Sequence, residues 1–300
     1  MTVFTGSGVA LCTPFDKDGA FASSVYDKMI DFQVKNGTAA IVSCGTTGEA
    51  STLTTDEHTE VVRTAVYSAK KAGEKYGRKV PVIAGAGGNN TDACIFTGRA
   101  LQQAGADALM YVTPYYNKTS QRGLIDHFSK IAASVDLPIV LYNVPVRTAL
   151  NMLPTTMEQL AKIPNIQAVK EASSDITQIA ETIERCAMDM DIYVGNDAEI
   201  LPTLALGGRG VISTMGNIAP AQIQSIYDTF QKGDIIASRK LQLSILPLVR
   251  LLFADVNPMP VKAALRIMGF DAGHCRLPLV DIDAKLATSM EGAMRCLGLI

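Results

Sequence analysis

The run LPIVLYNVP (residues 137–145), followed after a polar interval by IQAVKEAS (residues 166–173), decides how this chain is read. Both are continuous runs dominated by apolar residues, without strict apolar/polar alternation. Parallel strands covered on both faces have that pattern. LPTTMEQLAKIPN lies between them with helical spacing, so the pair makes one β-α-β unit. Working outward, the same alternation repeats. GVALCTP (8–14), AAIVSCG (39–45), VPVIAGAG (80–87) and ADALMYVTP (106–114) precede it, and DIYVGND (191–197) and GVISTMG (210–216) follow. Amphipathic segments separate the runs. SSVYDKMIDFQVKNG (23–37) places Val25, Met29, Phe32 and Val34 near a 3.6-residue period and stops at Gly37. TDEHTEVVRTAVYSAKKAG (55–73) opens on Thr55, Asp56 and Glu57 and is expected to end at Gly73. DITQIAETIERCAMD repeats the theme.

Eight strand-then-helix units in about 220 residues match the usual length of a (β/α)₈ barrel. A doubly wound open sheet usually carries a glycine-rich nucleotide fingerprint after its first strand. Here the first run ends Thr13-Pro14-Phe15, and Gly85-Ala86-Gly87-Gly88 has the wrong glycine spacing. Residues 220–300 hold only helical candidates. The chain therefore divides into a barrel over 1–219 and a helical extension over 220–300, and with no Pro/Gly/Ser-rich linker the two form one structural unit.

Composition narrows the function. The 300 residues are 48% hydrophobic and 19% charged, with a formal net charge of −2, a pI near 6.0 and mean hydropathy +0.18. So large an apolar share excludes disorder, and no basic patch marks a nucleic-acid partner. The low charged fraction suggests that part of the surface is covered by other copies of the chain. Six scattered cysteines without a C-x-x-C pair, and only three histidines, argue against a disulfide framework or a metal site. Reduced cysteines, no signal-like N-terminus and no membrane-length apolar stretch point to a cytoplasmic protein.

Barrel enzymes carry their chemistry at the C-terminal ends of the strands. Lys170 lies within the sixth run, with the small Ala168 and Ala172 on its face. A lysine there either snorkels to the rim or serves as a buried amine that attacks a carbonyl, for which it must be able to lose its proton. Tyr142 ends the fifth run and can move protons, and Arg147 follows it on a loop suited to bidentate capture of a carboxylate. Gly45-Thr46-Thr47-Gly48 can offer hydroxyl and backbone N–H groups to an anion. Tyr115 and Tyr116 form an adjacent aromatic pair suited to an interface. No G-x-S-x-G, H-E-x-x-H or Walker motif is present.

G-T-T-G-E, V-T-P-Y-Y-N, L-Y-N-V-P-x-R, V-K-E-A, G-x-D-A and G-V-I-S, in that order at strand ends, closely resemble the 4-hydroxy-tetrahydrodipicolinate synthase (dihydrodipicolinate synthase) family. Its wider superfamily includes N-acetylneuraminate lyases and 2-keto-3-deoxy sugar-acid aldolases. The resemblance runs from Thr5-Gly6-Ser7 to the C-terminal helices. It implies a Schiff-base lyase that joins pyruvate to L-aspartate-4-semialdehyde for lysine and diaminopimelate biosynthesis. No cofactor is implied beyond the imine at Lys170. Tyr142 is implied as general acid/base, linked through Thr46 to Tyr116 of a neighbouring subunit. Thr47, Ile212 and Gly195 belong to the substrate site, with Thr47 and Ile212 holding the pyruvate carboxylate and Arg147 the second substrate's carboxylate. The family's usual state is a homotetramer, a dimer of dimers. Ala50, Ser51, His58, Asn89 and Tyr115 fall where many members bind inhibitory lysine. Thr55 replaces the His of inhibited members and Ala93 their Glu, so weak or absent feedback is expected. The alternative on the same scaffold is a pyruvate-dependent aldolase for a sugar acid. Arg147 speaks for a carboxylated aldehyde over a polyol.

Overall fold

The computed structural model describes residues 2–300. Eight strands, β1 (Gly6–Ala10), β2 (Ala40–Ser43), β3 (Val82–Gly85), β4 (Ala108–Val112), β5 (Ile139–Asn143), β6 (Ile166–Glu171), β7 (Asp191–Val194) and β8 (Gly210–Ser213), close into one barrel in sequence order. Every neighbouring pair is parallel, including β8 with β1. The helices are α1 (Ser23–Lys35), α2 (Thr55–Tyr76), α3 (Thr91–Gln103), α4 (Gln121–Ala132), α5 (Pro145–Thr148), α6 (Pro154–Leu160), α7 (Ile176–Cys186), α8 (Ile200–Leu206), α9 (Pro220–Gln231), α10 (Ile235–Leu252), α11 (Met259–Ile267) and α12 (Ala284–Cys296). The expected (β/α)₈ barrel with a C-terminal helical appendage is the fold observed.

Strand side chains split into two cores. The inward set includes Val42, Ile83, Met110, Val140, Tyr142, Ala168, Tyr193 and Ile212, and the outward set packs beneath the helices. Phe4 plugs the lower end, its ring stacked 4.2 Å from that of Tyr193. The Tyr193 hydroxyl donates to the Phe4 carbonyl at 2.6 Å. A packed interior of this kind confines chemistry to the top face.

The strands are mostly shorter than the apolar runs that foretold them, and β1, α2 and α9 depart further from expectation. β1 covers residues 6–10 rather than 8–14. Helix α2 passes through Gly73 and ends only at Gly77, which takes the left-handed φ of 67°. Gly73 is required for another reason: a Cβ there would stand 2.4 Å from the Arg78 carbonyl oxygen. The cap of α2 is Thr54, one residue earlier than the expected start, in a capping box with Glu57. Finally, α9 follows β8 and packs on β1, where Gln224 accepts a bond from the Ser7 N–H at 2.8 Å. It is the barrel's eighth helix, so the division at residue 219 falls inside the last repeating unit. The added helices are α10 to α12.

Candidate active site

The register of β5 on β6 builds the centre of the site. Tyr142 pairs with Lys170, and Asn143 pairs with Glu171. Alternation sends the first pair into the barrel and the second pair outward. The outward pair locks the register. Glu171 is buried and accepts from Asn143 Nδ2 at 3.1 and 3.0 Å, from the Ser173 N–H at 2.8 Å and from Gln178 Nε2 at 3.3 Å. Burial pushes its carboxyl pKa up, and those donors oppose the shift.

Inside, Lys170 is only 6% exposed, and its Nζ lies 4.4 Å from the centre of the Tyr142 ring. Room for its stem comes from Ala172 and from Gly195, where a Cβ would lie 3.0 Å from Lys170 Cε. The amine opens into a cavity of about 540 Å³. Thr46, Thr47, Tyr142, Arg147, Lys170 and Gly195 all line it, so six of the expected residues come together. Thr47 is buried and Thr46 is exposed at the rim. Arg147 stands at the mouth on α5, which begins on Pro145 and is pinned where the Thr113 hydroxyl donates to Thr148 Oγ1 at 3.1 Å. Ile212 is fully buried in the inward core on β8 and is not among the cavity's lining residues. Tyr116 stands apart: it is 92% exposed on the loop after β4.

A second cavity of about 480 Å³ shares Thr46, Tyr142 and Arg147 with the first. Ala50, Ser51, His58, Asn89 and Tyr115 line it together with Ala93. His58 Nε2 sits 2.8 Å from the Gly85 carbonyl oxygen, and burial holds its pKa below the usual value. Asn89 Nδ2 donates to the Tyr115 carbonyl at 3.2 Å. Thr55 lies at the first turn of α2 and is not among the lining residues.

Three participants escaped the sequence reading. Asp197 is buried at the cavity wall and accepts from Ser213 Oγ and from the N–H groups of Thr214 (3.2 Å) and Met215 (3.0 Å). Burial pushes its carboxyl pKa up, while these bonds and the nearby Lys170 charge pull it down. Asn257 donates from Nδ2 to Thr47 Oγ1 at 2.9 Å, and its carbonyl accepts from Arg147 Nη2 at 3.3 Å. Lys262 is paired with Glu49, the last residue of G-T-T-G-E. Among the described residues no cluster of three His, Cys, Asp or Glu could hold a metal, and all six cysteines are free thiols. Burial pushes the Cys44 thiol up to about 12, far from a nucleophile's range. No helix is long and apolar enough to cross a membrane.

A closed parallel barrel with a shielded lysine against a tyrosine, under a mouth carrying an arginine, defines a lyase built on a (β/α)₈ frame. The family can now be given. The dihydrodipicolinate synthetase family model matches residues 3–296, and the chain belongs to that family. The 4-hydroxy-tetrahydrodipicolinate synthase of Lachnoclostridium phytofermentans is 48% identical over the whole of both chains. The dihydrodipicolinate synthase of Acinetobacter baumannii, solved with pyruvate, superposes with a TM-score of 0.94 at 38% identity over 99% of each chain. The enzyme of Cyanidioschyzon merolae, solved with lysine bound, gives the same TM-score, identity and coverage.

Proposed function

We propose that this chain condenses pyruvate with L-aspartate-4-semialdehyde through an imine on Lys170, the 4-hydroxy-tetrahydrodipicolinate synthase reaction. The observation that carries the reading is the Lys170 amine, shielded at the barrel centre and register-matched to Tyr142. Its Nζ attacks the ketone carbon and water leaves, giving the imine. That cation acidifies the adjacent methyl group, and loss of one proton yields an enamine. The enamine carbon attacks the aldehyde. The amine of the second substrate then adds to the imine carbon, closes the ring and releases Lys170. Tyr142 exchanges protons with these intermediates. Thr46 passes them on to Tyr116 of a second copy, which accounts for a tyrosine so exposed in the single chain. Thr47 and the Ile212 segment bind the pyruvate carboxylate, with Gly195 alongside, and Arg147 binds the carboxylate of the aldehyde. No separate cofactor is used, the assembly is a homotetramer, and the setting is cytoplasmic. Turnover assays test the reading: pyruvate should be consumed with aspartate semialdehyde and not with N-acetylmannosamine or glyceraldehyde. The reverse preference would establish a sugar-acid aldolase instead, a reading that the curated relatives' shared name does not favour.

The second cavity bears on regulation. Ala93 offers it a methyl group and no carboxylate to pair with an effector's ammonium. Lysine inhibition is accordingly weak or absent in this protein. Strong inhibition by millimolar lysine in the rate assay would overturn that assignment.

A further inference from the structure

We propose that the buried Glu49–Lys262 ion pair is a positioning device for the keto-acid subsite. It fixes the Thr46–Thr47 loop against the C-terminal extension. The inference rests on the reading of Thr47 as a carboxylate-binding residue.

Both side chains are 0% exposed, and Lys262 Nζ donates to Glu49 Oε1 at 2.7 Å. Each group has further partners. Lys262 also donates to the His274 carbonyl at 2.9 Å and lies 4.2 Å from the centre of the Phe15 ring. Glu49 Oε2 accepts from the Arg276 N–H at 2.9 Å. Replacing such a pair with apolar groups often leaves stability unchanged or improved, so stability alone does not account for it. The backbone supplies the reason. Glu49 holds a left-handed φ of 53°, unfavourable for a side chain with a Cβ, and persists there only when its surroundings dictate it. That conformation ends the turn whose second hydroxyl belongs to Thr47, where Thr47 Oγ1 accepts from Asn257. Asn257 and Lys262 lie at the entrance and in the body of α11. The loop is therefore held at two points by one helix: Thr47 by Asn257, and Glu49 by Lys262. Lys262 lines neither cavity, so it acts only through the loop.

The test compares wild type, Lys262→Met and the double variant Glu49→Gln/Lys262→Met. The measurements are thermal midpoint, pyruvate KM, kcat and borohydride trapping of pyruvate. The single variant leaves a buried carboxylate unpaired, so its midpoint falls. Removing the charge as well restores the midpoint in the double variant. If the pair positions the loop, the double variant keeps a pyruvate KM raised by about tenfold, the loss of one hydrogen bond's worth of binding, while the KM for the aldehyde barely moves. A double variant with both midpoint and pyruvate KM at wild-type values overturns the inference. So does a single variant that loses stability with its pyruvate KM unchanged. Should wild type itself fail to trap pyruvate, the keto-acid reading falls first and this inference with it.

Discussion

Gly195→Ala is a one-carbon change aimed at the nucleophile. The added Cβ would stand 2.7 Å from Ala172 Cβ and 3.0 Å from Lys170 Cε. Carbon atoms in contact settle at about 3.5–4.0 Å, so the overlaps are about 0.8–1.3 Å with Ala172 and about 0.5–1 Å with Lys170. Gly195 does not occupy the left-handed region, so alanine meets no backbone objection there. Ala172 Cβ is fixed to the strand end and cannot retreat, whereas the lysine stem can turn. The strain therefore moves the amine. Overpacking of this kind costs about 1–3 kcal/mol, and a misplacement near 1 Å at a reacting group costs on the order of 10²-fold in rate. Borohydride trapping of pyruvate, followed by intact mass against time, should slow by that order while the thermal midpoint falls modestly. Gly88→Ala is the matched control. It lies in the neighbouring cavity, and its Cβ would meet only Cys94 Sγ, at an ordinary 3.5 Å. If Gly195→Ala traps pyruvate at the wild-type rate, the geometry assigned to Lys170 is wrong.

Other expectations concern the mouth, the rim and the acid limb of stability. Arg147→Ala should lower turnover with the aldehyde by about 10²-fold and leave imine formation near normal, because the imine precedes the aldehyde. Equal losses in both would contradict its role. Tyr116→Phe should slow turnover without preventing pyruvate capture. Dilution to single chains should produce the same defect in wild type, as activity measured against concentration would reveal. Glu57 is held near 2 in the folded chain, against 4.5 ordinarily, chiefly by Arg276. Its contribution is fully present above pH 4.5 and fades as pH falls through about 2. Glu57→Gln should therefore cost about 2 kcal/mol at neutral pH, allowing for partial exposure, and progressively less as pH falls to and below about 2. A constant difference across a urea-melt series in pH would refute the pairing.

The strands were legible because parallel strands in a closed barrel are covered on both sides, which leaves continuous apolar runs. β1 was misplaced because its lower half is glycine-rich for a reason that sequence does not display. Without a Cβ, Gly8 lets the Phe4 ring approach, and Gly210 lets the Gly6 backbone approach. The second of these contacts joins segments some two hundred residues apart, as do Asn257 with Thr47 and Lys262 with Glu49. Gly73 looked like a helix stop because a glycine demanded by a close backbone contact resembles a glycine demanded by a turn. The inward lysine, the strand-end tyrosine and the threonine pair were visible as residue types at strand ends. Asn257 was not, since it belongs to the extension and enters the site by bonding to Thr47. One sign was available for Lys262: it sits in the helix PVKAAL, where every other residue is apolar. A charge there needs a partner, and Glu49 was already on the page in G-T-T-G-E.

Helix α10 shows how the extension contributes beyond covering surface. Its Gln242 side chain donates to the Asp197 carbonyl at 2.9 Å and accepts from the Leu201 N–H at 3.0 Å. Its Val249, and Phe253 just beyond its end, close one wall of the Lys170 cavity. The barrel supplies the nucleophile, and the appended helices supply much of the shell that keeps it from bulk water.

The most direct test is peptide mapping of protein reduced with borohydride in the presence of isotopically labelled pyruvate. The account predicts a single labelled peptide containing residues 166–173, with the label on Lys170 and none after Lys170→Ala. Label on another lysine, or unlabelled protein in saturating pyruvate, would contradict it.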